Sequence, residues 1–336
     1  MTTSVEEIHK LKGPIVVFGA GGFIGINLLN TILQVRNDVY GVSHDPQNNW
    51  RFIANDLPQA NRIACDLNDP SQITLLIKSH VPKTIFNLAA YGAYSKQADY
   101  SKIYTTNLNA SIHLIESAKK AGFDAYVQAG TSSEYGINSV APAEDDELIP
   151  NSHYAVSKVA MSYVAKYYGQ VEELPVIHLR LYSAYGPWEE PDRLMPMLVS
   201  KARAGHYPPL VNPDTTRDYI YVMDVVDAFI KAAFQASQHH GETYNIGTGV
   251  KTTIKELADM ISTICKIEDQ PSFGSMENRN WDVVNDWYAN ASRARDELKW
   301  THIVDLRKGL ENTLKWQKEI GYEALLQRYG ILCVEK

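Results

Sequence analysis

Cysteine is scarce in this chain, and so are long apolar runs. The 336 residues hold three cysteines, Cys65, Cys265 and Cys333, which form neither a CxxC pair nor a metal-ligand spacing. We therefore expect reduced structural thiols, no metal site and a cytoplasmic location. No run approaches the roughly 18 apolar residues that span a bilayer. The first residues, with Glu6 and Glu7, do not resemble a signal peptide.

Basic charge is scarce as well. The formal net charge is −7, and no dense cluster of lysine or arginine is visible. Nucleic-acid binding normally requires a basic stripe, so we expect neither a nucleic-acid nor a membrane partner. Hydrophobic residues make up 45% and charged residues 21%, which is ordinary for a globular protein.

Short apolar runs alternate with helical patterns through the first half of the chain. The runs are rich in β-branched residues and bounded by glycine or polar residues, as buried parallel strands are. They cover Pro14–Gly19, Asp38–Ser43, Thr84–Ala89, Ala125–Ala129 and Val176–Leu181. The helical patterns cover Ile26–Gln34, Leu108–Lys120 and His153–Tyr168. This alternation predicts an α/β fold with a Rossmann-type, doubly wound parallel sheet.

The sequence pattern changes after about residue 187, where prolines cluster. Helical patterns recur at Val222–Phe234 and Thr253–Cys265. We expect a dinucleotide-binding domain over residues 1–186. We expect residues 187–336 to form mainly a smaller substrate-binding lobe, which returns one or two strands to the main sheet.

A glycine-rich turn follows the first predicted strand. The segment GAGGFIG places glycines at Gly19, Gly22 and Gly25, with Phe23 and Ile24 opening the next helix. The first glycine permits a tight turn, the second lets the backbone approach a diphosphate, and the third lets the helix pack on the strand. Strand, loop and helix come in the right order for a dinucleotide cofactor.

Two features near the second and third strands bear on the cofactor. Ser43 and His44 end the second strand, where an acidic residue would favour NAD. A serine with Arg51 nearby favours NADP, whereas Asp45 reaching the ribose would favour NAD. After the third strand, Asp66 and Leu67 either lie near the adenine ring, or Asp66 caps the following helix.

A YxxxK pair, Tyr154 and Lys158, falls on a predicted helix. Residues four apart share a helix face, and a neighbouring cation lowers a tyrosine pKa, which suits proton transfer at a carbinol. Upstream, a predicted strand ends in GTSSEYG, residues 130–136. A hydroxyl from this strand end can hold the reacting oxygen beside Tyr154.

Several motifs in this order together resemble the extended short-chain dehydrogenase/reductase family. The motifs are GAGGFIG, TSSEYG, YAVSK, RLYSAYGP, RDYIYVMDV and YNIGTG. The resemblance runs from about residue 14 to residue 317. The family includes nucleotide-sugar epimerases, 4,6-dehydratases, decarboxylases and 4-ketoreductases, so the resemblance implies an enzyme using NAD or NADP on a nucleotide-linked sugar.

The resemblance also implies roles for individual residues. Tyr154 would be the catalytic acid/base, Lys158 its partner and a cofactor ligand, and Thr131 the third member of a triad. Asn107 would help to order the active-site helix. Leu88, Ala89 and Ala90, after the fourth strand, would line the cofactor.

On the substrate side, the resemblance implies that Arg217 contacts the nucleotide and Arg279 the diphosphate, although surface ion pairing is the alternative for both. Ser183 stands where many relatives have an asparagine. The remaining candidates for sugar contacts are Tyr91, Tyr94, Ser132, Ser133, Glu189 and Arg193. For the two tyrosines, core packing is an equal alternative.

Departures from the family pattern favour one reaction. The dehydratase acid pair would fall on Ser132 and Ser133, and Glu134 should point to the other face unless the alignment shifts by one residue. The segment from Leu88 to Gly92 resembles reductases of 4-keto sugars, which with Ser43 favours NADPH-dependent 4-keto reduction. A 4-epimerase with tightly held cofactor is the runner-up, followed by a dehydratase and by a non-catalytic dinucleotide sensor.

The resemblance also implies a homodimer.

Overall fold

We analysed a computed structural model, which describes residues 5–94, 96–275 and 286–331. In chain order its strands are β1 (Ile15–Phe18), β2 (Val39–Ser43), β3 (Arg62–Ala64), β4 (Thr84–Asn87), β5 (Ala125–Thr131), β6 (Val176–Leu181), β7 (Ser183–Tyr185), β8 (Thr216–Arg217), β9 (Tyr219–Tyr221), β10 (Thr243–Ile246) and β11 (Thr252–Thr253). Its helices are α1 (Val5–Lys10), α2 (Phe23–Leu33), α3 (Trp50–Ala54), α4 (Pro70–His80), α5 (Tyr100–Tyr104), α6 (Ala110–Ala121), α7 (His153–Gln170), α8 (Leu194–Arg203), α9 (Val222–Gln235), α10 (Ile254–Cys265), α11 (Ser292–Asp296), α12 (Leu306–Glu319) and α13 (Tyr322–Arg328).

The main sheet has the strand order β10-β6-β5-β4-β1-β2-β3, and its neighbouring strands are parallel. Strand order therefore reverses between β1 and β4, because the chain runs outward from β1 to β3 and then returns to β4. Such a reversal opens a crevice at the carboxyl ends of the two strands, where ligands bind in open α/β sheets.

Both faces of the sheet are covered by helices. Alternate residues of β1 belong to two separate apolar clusters: Ile15 and Val17 to one, Val16 and Phe18 to the other. The first cluster includes residues of α2 and α9, and the second includes residues of α4, α6 and α7. A strand buried on both faces reads as a continuous apolar run, which is the pattern of β1 in the sequence.

The second half of the chain adds to this sheet and also builds away from it. β10 pairs with β6 in parallel, and α9 packs under β5 and β6. Two small sheets pair β7 with β9 and β8 with β11. The first of them forms a third apolar cluster with α8, α10 and α12. In the described ranges, no helix is long and apolar enough to cross a bilayer.

The predicted fold class is confirmed. Each predicted strand coincides with a strand of the main sheet and differs from it only at the ends. The helix predicted at Leu108–Lys120 differs more, because a π-helical segment over Thr105–Asn109 joins α5 to α6. The domain boundary after residue 186 stays a prediction.

Candidate active site

The glycine turn lies at the carboxyl end of β1, beside the point where strand order reverses. Gly19 has φ +74°, and a Cβ there would lie 2.6 Å from the amide nitrogen of Ala89. A Cβ on Gly25 would lie 2.3 Å from the carbonyl oxygen of Gly19. Side chains are therefore excluded at both positions, the first by conformation and contact and the second by contact.

The turn leads into an uncapped helix. Gly22 is the N-cap of α2, and no side chain caps the free N–H groups of its first turn, which Phe23 and Ile24 open. These groups and the positive end of the helix dipole suit a diphosphate. Ala89 packs against the turn, and Leu88 donates its N–H to the carbonyl of Phe18. The residues present therefore fit a dinucleotide at this crevice.

The end of β2 carries the residues that bear on the choice between NAD and NADP. The Ser43 hydroxyl lies 3.0 Å from the position that a Cβ on Gly21 would take, so it faces the glycine turn. His44 is exposed. The carboxylate of Asp45 accepts hydrogen bonds from the backbone and side chain of Asn48 at 3.2 and 2.8 Å. Asp45 is thus engaged within its own loop.

Arg51 does not serve as the phosphate-binding cation that the NADP hypothesis requires. Its side chain is 3% exposed. Nε donates to the carbonyl of Trp188 at 2.8 Å, Nη1 to the carbonyl of Gly21 at 3.3 Å, and Nη2 to Glu190 at 3.0 Å. The guanidinium is therefore already committed inside the protein, which removes one of the two grounds for NADP.

The helix-cap alternative for Asp66 is wrong. The N-cap of α4 is Asp69, whose carboxylate accepts from the N–H of Ser71, with Pro70 at the first helical position. Asp66 instead accepts from the N–H of Asn68 at 2.9 Å and shapes the loop that leads to Asp69. Leu67 packs half-buried on the cluster shared by α4, α6 and α7.

The predicted triad comes together at the carboxyl end of β5. The Thr131 side chain lies beside the phenol of Tyr154, close enough to lower its pKa. Lys158 follows one turn later on α7, with Nζ 5.9 Å from the centroid of the Tyr154 ring. That ammonium donates to the carbonyl of Ala129 at 3.1 Å, which anchors it to β5.

The pKa of Tyr154 differs from the prediction. Burial and the negative charge of Glu134 raise the pKa of Tyr154, and the hydrogen bond from Thr131 only partly opposes this. Burial also lowers the pKa of Lys158 to about 8. The phenol therefore keeps its proton in this state, because desolvation of the phenolate and the charge of Glu134 outweigh the contributions of Thr131 and Arg193.

Glu134 is fully buried next to the triad. Its carboxylate accepts from the N–H of Thr131 at 2.9 Å, contacts Nε2 of His178 at 2.9 Å and accepts from Nε of Arg180 at 2.7 Å. Burial alone would raise the pKa of Glu134, but the charges of His178 and Arg180 bring it down to about 2. A carboxylate held in this way cannot protonate a leaving hydroxyl.

Asn107 lies in the π-helical segment and is fully buried. Its side chain accepts from the N–H of Tyr91 at 2.8 Å and donates to the carbonyl of Tyr91 at 2.8 Å. It also donates to the hydroxyl of Ser157 at 2.9 Å. Asn107 therefore ties the segment after β4, which includes Ala90, to the catalytic helix.

A second group of side chains faces Tyr154 from the other side of the crevice. The guanidinium of Arg193 stands 5.5 Å from the ring centroid of Tyr94, and its Nε is 3.9 Å from Glu189. Both Tyr94 and Arg193 are close enough to act on the pKa of Tyr154. Burial raises the pKa of Tyr94 to about 12 and that of Glu189 to about 8, against the charge of Arg193. The ring of Tyr91 packs instead against the ammonium of Lys102, at 4.7 Å.

The three serines predicted to contact the substrate lie in different environments. Ser133 is half-buried, and its hydroxyl accepts from Thr131 at 3.2 Å, so it borders the triad. Ser132 is buried in the short turn that follows β5. Ser183 is half-buried at the start of β7 and donates its N–H to the carbonyl of Asp218.

Of the two arginines predicted to contact the nucleotide and the diphosphate, the structure describes one. Arg217 lies in β8, half-buried, with its guanidinium 5.6 Å from the ring centroid of Trp287 and Nη1 donating to the carbonyl of Thr216 at 2.6 Å. Arg279 lies outside the described residues.

Two positions in this region escaped the sequence analysis. Asp218 is fully buried, and its carboxylate accepts from the backbone of Thr248, Gly249 and Ala289. It joins the loop of Thr248 and Gly249 to the segment of Ala289, and its position next to Arg217 in the sequence was an available signal. The bridging role of Arg51 had none, since its partners are distant in the chain.

Comparison with known proteins adds a family and relatives. The model of the NAD dependent epimerase/dehydratase family matches residues 15–247. UDP-glucose 4-epimerase of Mycolicibacterium smegmatis is 29% identical over 318 residues, covering 90% of this chain and 97% of that protein.

Solved structures agree with these relatives. UDP-glucuronic acid 4-epimerase from Bacillus cereus, in complex with UDP-glucuronic acid and NAD, superposes with a TM-score of 0.77 at 25% identity, covering 91% of this chain and 99% of that one. dTDP-glucose 4,6-dehydratase from Bacillus anthracis, in complex with NAD, gives 0.78 at 25% identity, covering 93% and 99%. These relatives give no support to 4-keto reduction or to NADP, and the epimerase alternative fits them better.

Proposed function

This chain belongs to the NAD-dependent epimerase/dehydratase family, and we propose that it is a nucleotide-sugar 4-epimerase that keeps NAD tightly bound. The observation that carries the proposal is the grouping of Thr131, Tyr154 and Lys158 at the end of β5, next to the crevice above the glycine turn. An acid/base phenol at a dinucleotide crevice is what oxidation and re-reduction of one carbinol requires.

The cofactor proposed is NAD rather than NADP. A 2′-phosphate needs a free cation at the end of β2. Arg51 does not supply it, because its guanidinium is hydrogen-bonded to Trp188, Gly21 and Glu190. Asp45, which is exposed two residues after the end of β2, would repel a phosphate. The diphosphate would be held by the uncapped start of α2, and Lys158 would reach the nicotinamide ribose.

When bound, NAD supplies the site that takes and returns a hydride. The protein's own residues handle the proton. Tyr154 first releases its own proton to solvent; the phenolate then accepts the proton of the sugar C4 hydroxyl and later gives it back, while the Thr131 hydroxyl orients the same oxygen. Below a pH of about 8 the Lys158 ammonium stabilises phenolate as it forms. Asn107 holds the segment after β4 in a fixed position relative to α7.

Dehydration is disfavoured by the acids that this crevice offers. The positions for a dehydratase acid pair carry Ser132 and Ser133, and Glu134 is locked between His178 and Arg180. The acid on the opposite side, Glu189, is buried and belongs to the group with Arg193 and Tyr94. We propose that this group contacts the sugar, that Arg217 contacts the nucleotide, and that Arg279 contacts the diphosphate.

We also propose that the enzyme is a homodimer that pairs through α7. Val156, Tyr163 and Tyr167 lie on one stripe of that helix and are exposed, the two tyrosines to 63% and 49%. Tyr100, on the adjoining α5, is exposed to 63%. A stripe of large exposed aromatic side chains is more typical of an interface than of a solvated helix face.

The test is interconversion without net redox change. We expect the purified protein to carry NAD and to interconvert the C4 epimers of at least one member of a panel: UDP-glucose, UDP-galactose, UDP-glucuronate, UDP-N-acetylglucosamine and dTDP-glucose. NADH should not accumulate in solution. Stoichiometric consumption of NADPH with a 4-keto sugar, and no interconversion across the panel, would overturn the proposal in favour of a reductase.

A further inference from the structure

Two side chains from the cofactor half of the molecule hold the loop that carries the sugar-side residues. Asn27, in α2 just beyond the glycine turn, donates to the carbonyl of Pro187 at 2.9 Å. Arg51, in α3, donates to the carbonyl of the next residue, Trp188, at 2.8 Å. Both side chains are at least nine-tenths buried, so solvent does not compete for these contacts.

Arg51 also contacts the glycine turn itself. The same guanidinium donates to the carbonyl of Gly21 at 3.3 Å, and the side chain of Asn49 donates to that carbonyl at 3.1 Å. Its third contact is an ion pair with Glu190 at 3.0 Å. A planar guanidinium can hold three acceptors in fixed directions at once, which an ammonium cannot reproduce.

The loop that Arg51 holds is conformationally demanding. Trp188 has φ +68°, a left-handed conformation that is costly for a residue with a large side chain. Its ring packs against Trp316, with centroids 5.0 Å apart, and against Trp50, with centroids 5.8 Å apart. The guanidinium of Arg51 lies 4.4 Å from the Trp50 ring centroid. Arg51 is therefore one of the contacts that hold this loop in its strained form.

The residues just after Trp188 in the chain form the sugar side of the crevice. Glu189 is 6% exposed, one of its carboxylate oxygens has no hydrogen-bond partner among the described residues, and Arg193 lies 3.9 Å from the other. Arg193 in turn stands over Tyr94 and acts on Tyr154. A shift of Trp188 would move this group relative to the catalytic phenol.

We propose that Arg51 is a positioning residue that couples the glycine turn to the sugar-side loop, so that bound NAD tightens the binding of the nucleotide sugar. The inference rests on the proposed function. Ordering of the turn by a diphosphate fixes the Gly21 carbonyl, and through Arg51 it favours the form of the loop that presents Glu189 and Arg193. By linkage, the nucleotide sugar tightens NAD to the same degree.

The experiment measures this coupling directly. Calorimetry on protein stripped of cofactor gives the Kd of NAD with and without saturating UDP-glucose, or whichever panel sugar proves to be the substrate. For the unchanged protein we expect the sugar to tighten NAD by about fivefold or more. In Arg51→Lys we expect the two Kd values to agree within about twofold, and in Glu190→Gln, which removes only the charge of one contact, an intermediate factor.

Arg36→Lys is the matched control. Arg36 also contacts two carbonyls, those of Ile8 and Leu11, and pairs with one carboxylate, Asp38, but it lies away from the crevice. Arg36→Lys should keep the full coupling between NAD and the sugar, while its melting temperature falls by about as much as that of Arg51→Lys.

Full coupling in Arg51→Lys, or in Glu190→Gln if the lysine variant does not fold, would overturn the inference. Absence of coupling in the unchanged protein would overturn it too. Failure of the unchanged protein to bind NAD at all would instead overturn the proposed function, and this inference with it.

Discussion

The side chain of Thr131, at the carboxyl end of β5, lies beside the phenol of Tyr154, in the first turn of α7, close enough to lower the pKa of that phenol. Glu134 fixes the other side of this contact by accepting the N–H of Thr131. The proton that Tyr154 handles therefore sits between a strand end and a helix start, both held by buried contacts.

Tyr154→Phe should abolish most of the turnover while leaving both ligands bound. Loss of a general acid/base lowers kcat by about 10²–10⁴-fold. The Kd values of NAD and of the nucleotide sugar should stay within about threefold, because the ring keeps its shape. Tyr163→Phe, on the exposed face of the same helix, is the control and should keep full activity. Turnover near the unchanged rate in Tyr154→Phe would refute the proton-transfer role.

The rate should fall at alkaline pH because of Lys158. Burial lowers the pKa of this lysine to about 8, so its charge is present below that pH and lost above it. We expect kcat/KM, which reports on the free enzyme, to decline above about pH 8. Lys158→Arg should lack this decline in whatever activity it retains, since guanidinium does not titrate there.

Glu189 provides the control for that profile, since burial raises its pKa to about 8 as well. In Glu189→Gln the alkaline decline should persist. Its disappearance in this variant, or its persistence in Lys158→Arg, would assign the decline to another group.

Glu134→Gln should destabilise the protein at neutral pH. The pKa of Glu134 lies at about 2 in the folded state, below its value of 4.5 in the unfolded chain, so its stabilising contribution is present above pH 4.5 and lost as pH falls towards 2. Removing the charge from a buried ion pair costs about 3 kcal/mol. Urea unfolding at pH 7 and at pH 4 measures this.

The difference between the unchanged protein and Glu134→Gln should shrink at the lower pH. Glu319→Gln, at an exposed position, should have almost no effect at either pH. A difference that grows as the pH falls would contradict the charged state assigned to Glu134.

The exposed stripe on α7 should govern association. We expect the unchanged protein to sediment as a dimer, and the double variant Tyr163→Glu and Tyr167→Glu to sediment as a monomer, because buried unpaired carboxylates are costly at an interface. Leu75→Glu changes an equally exposed apolar residue on α4 and should leave the dimer intact. A monomeric unchanged protein would exclude pairing through this stripe.

The parts of the site that sequence could predict are those whose geometry is local. Three glycines spaced through one turn, and a tyrosine four residues before a lysine, carry their spatial relationship in the spacing itself. Asp69 also had a local signal, because Pro70 at the first helical position points to the residue before it as the cap. Asp66, three residues earlier, is not followed by such a proline.

The parts that could not be predicted depend on partners far along the chain. Glu134 is committed to His178 and Arg180, which β6 supplies from 44 and 46 residues away. Arg51 is committed to Trp188, 137 residues away. Sequence spacing does not reveal these partners, so Glu134 remained a candidate for catalysis and Arg51 a candidate for phosphate binding. The raised pKa of Tyr154 has the same origin, since burial depends on the whole fold.

The π-helical segment over Thr105–Asn109 holds one residue more per turn than the α-helices on either side of it. Shortening the chain by a single residue there would restore regular hydrogen bonding through the joined helix. The orientation of α5 relative to α6 would change little, because the extra residue is accommodated within one wider turn, but the side chains inside the segment would take new directions. Asn107 would then face away from Tyr91 and Ser157. The helix would become more regular, and the link between the loop after β4 and the catalytic helix would be lost, which is a trade of function for stability.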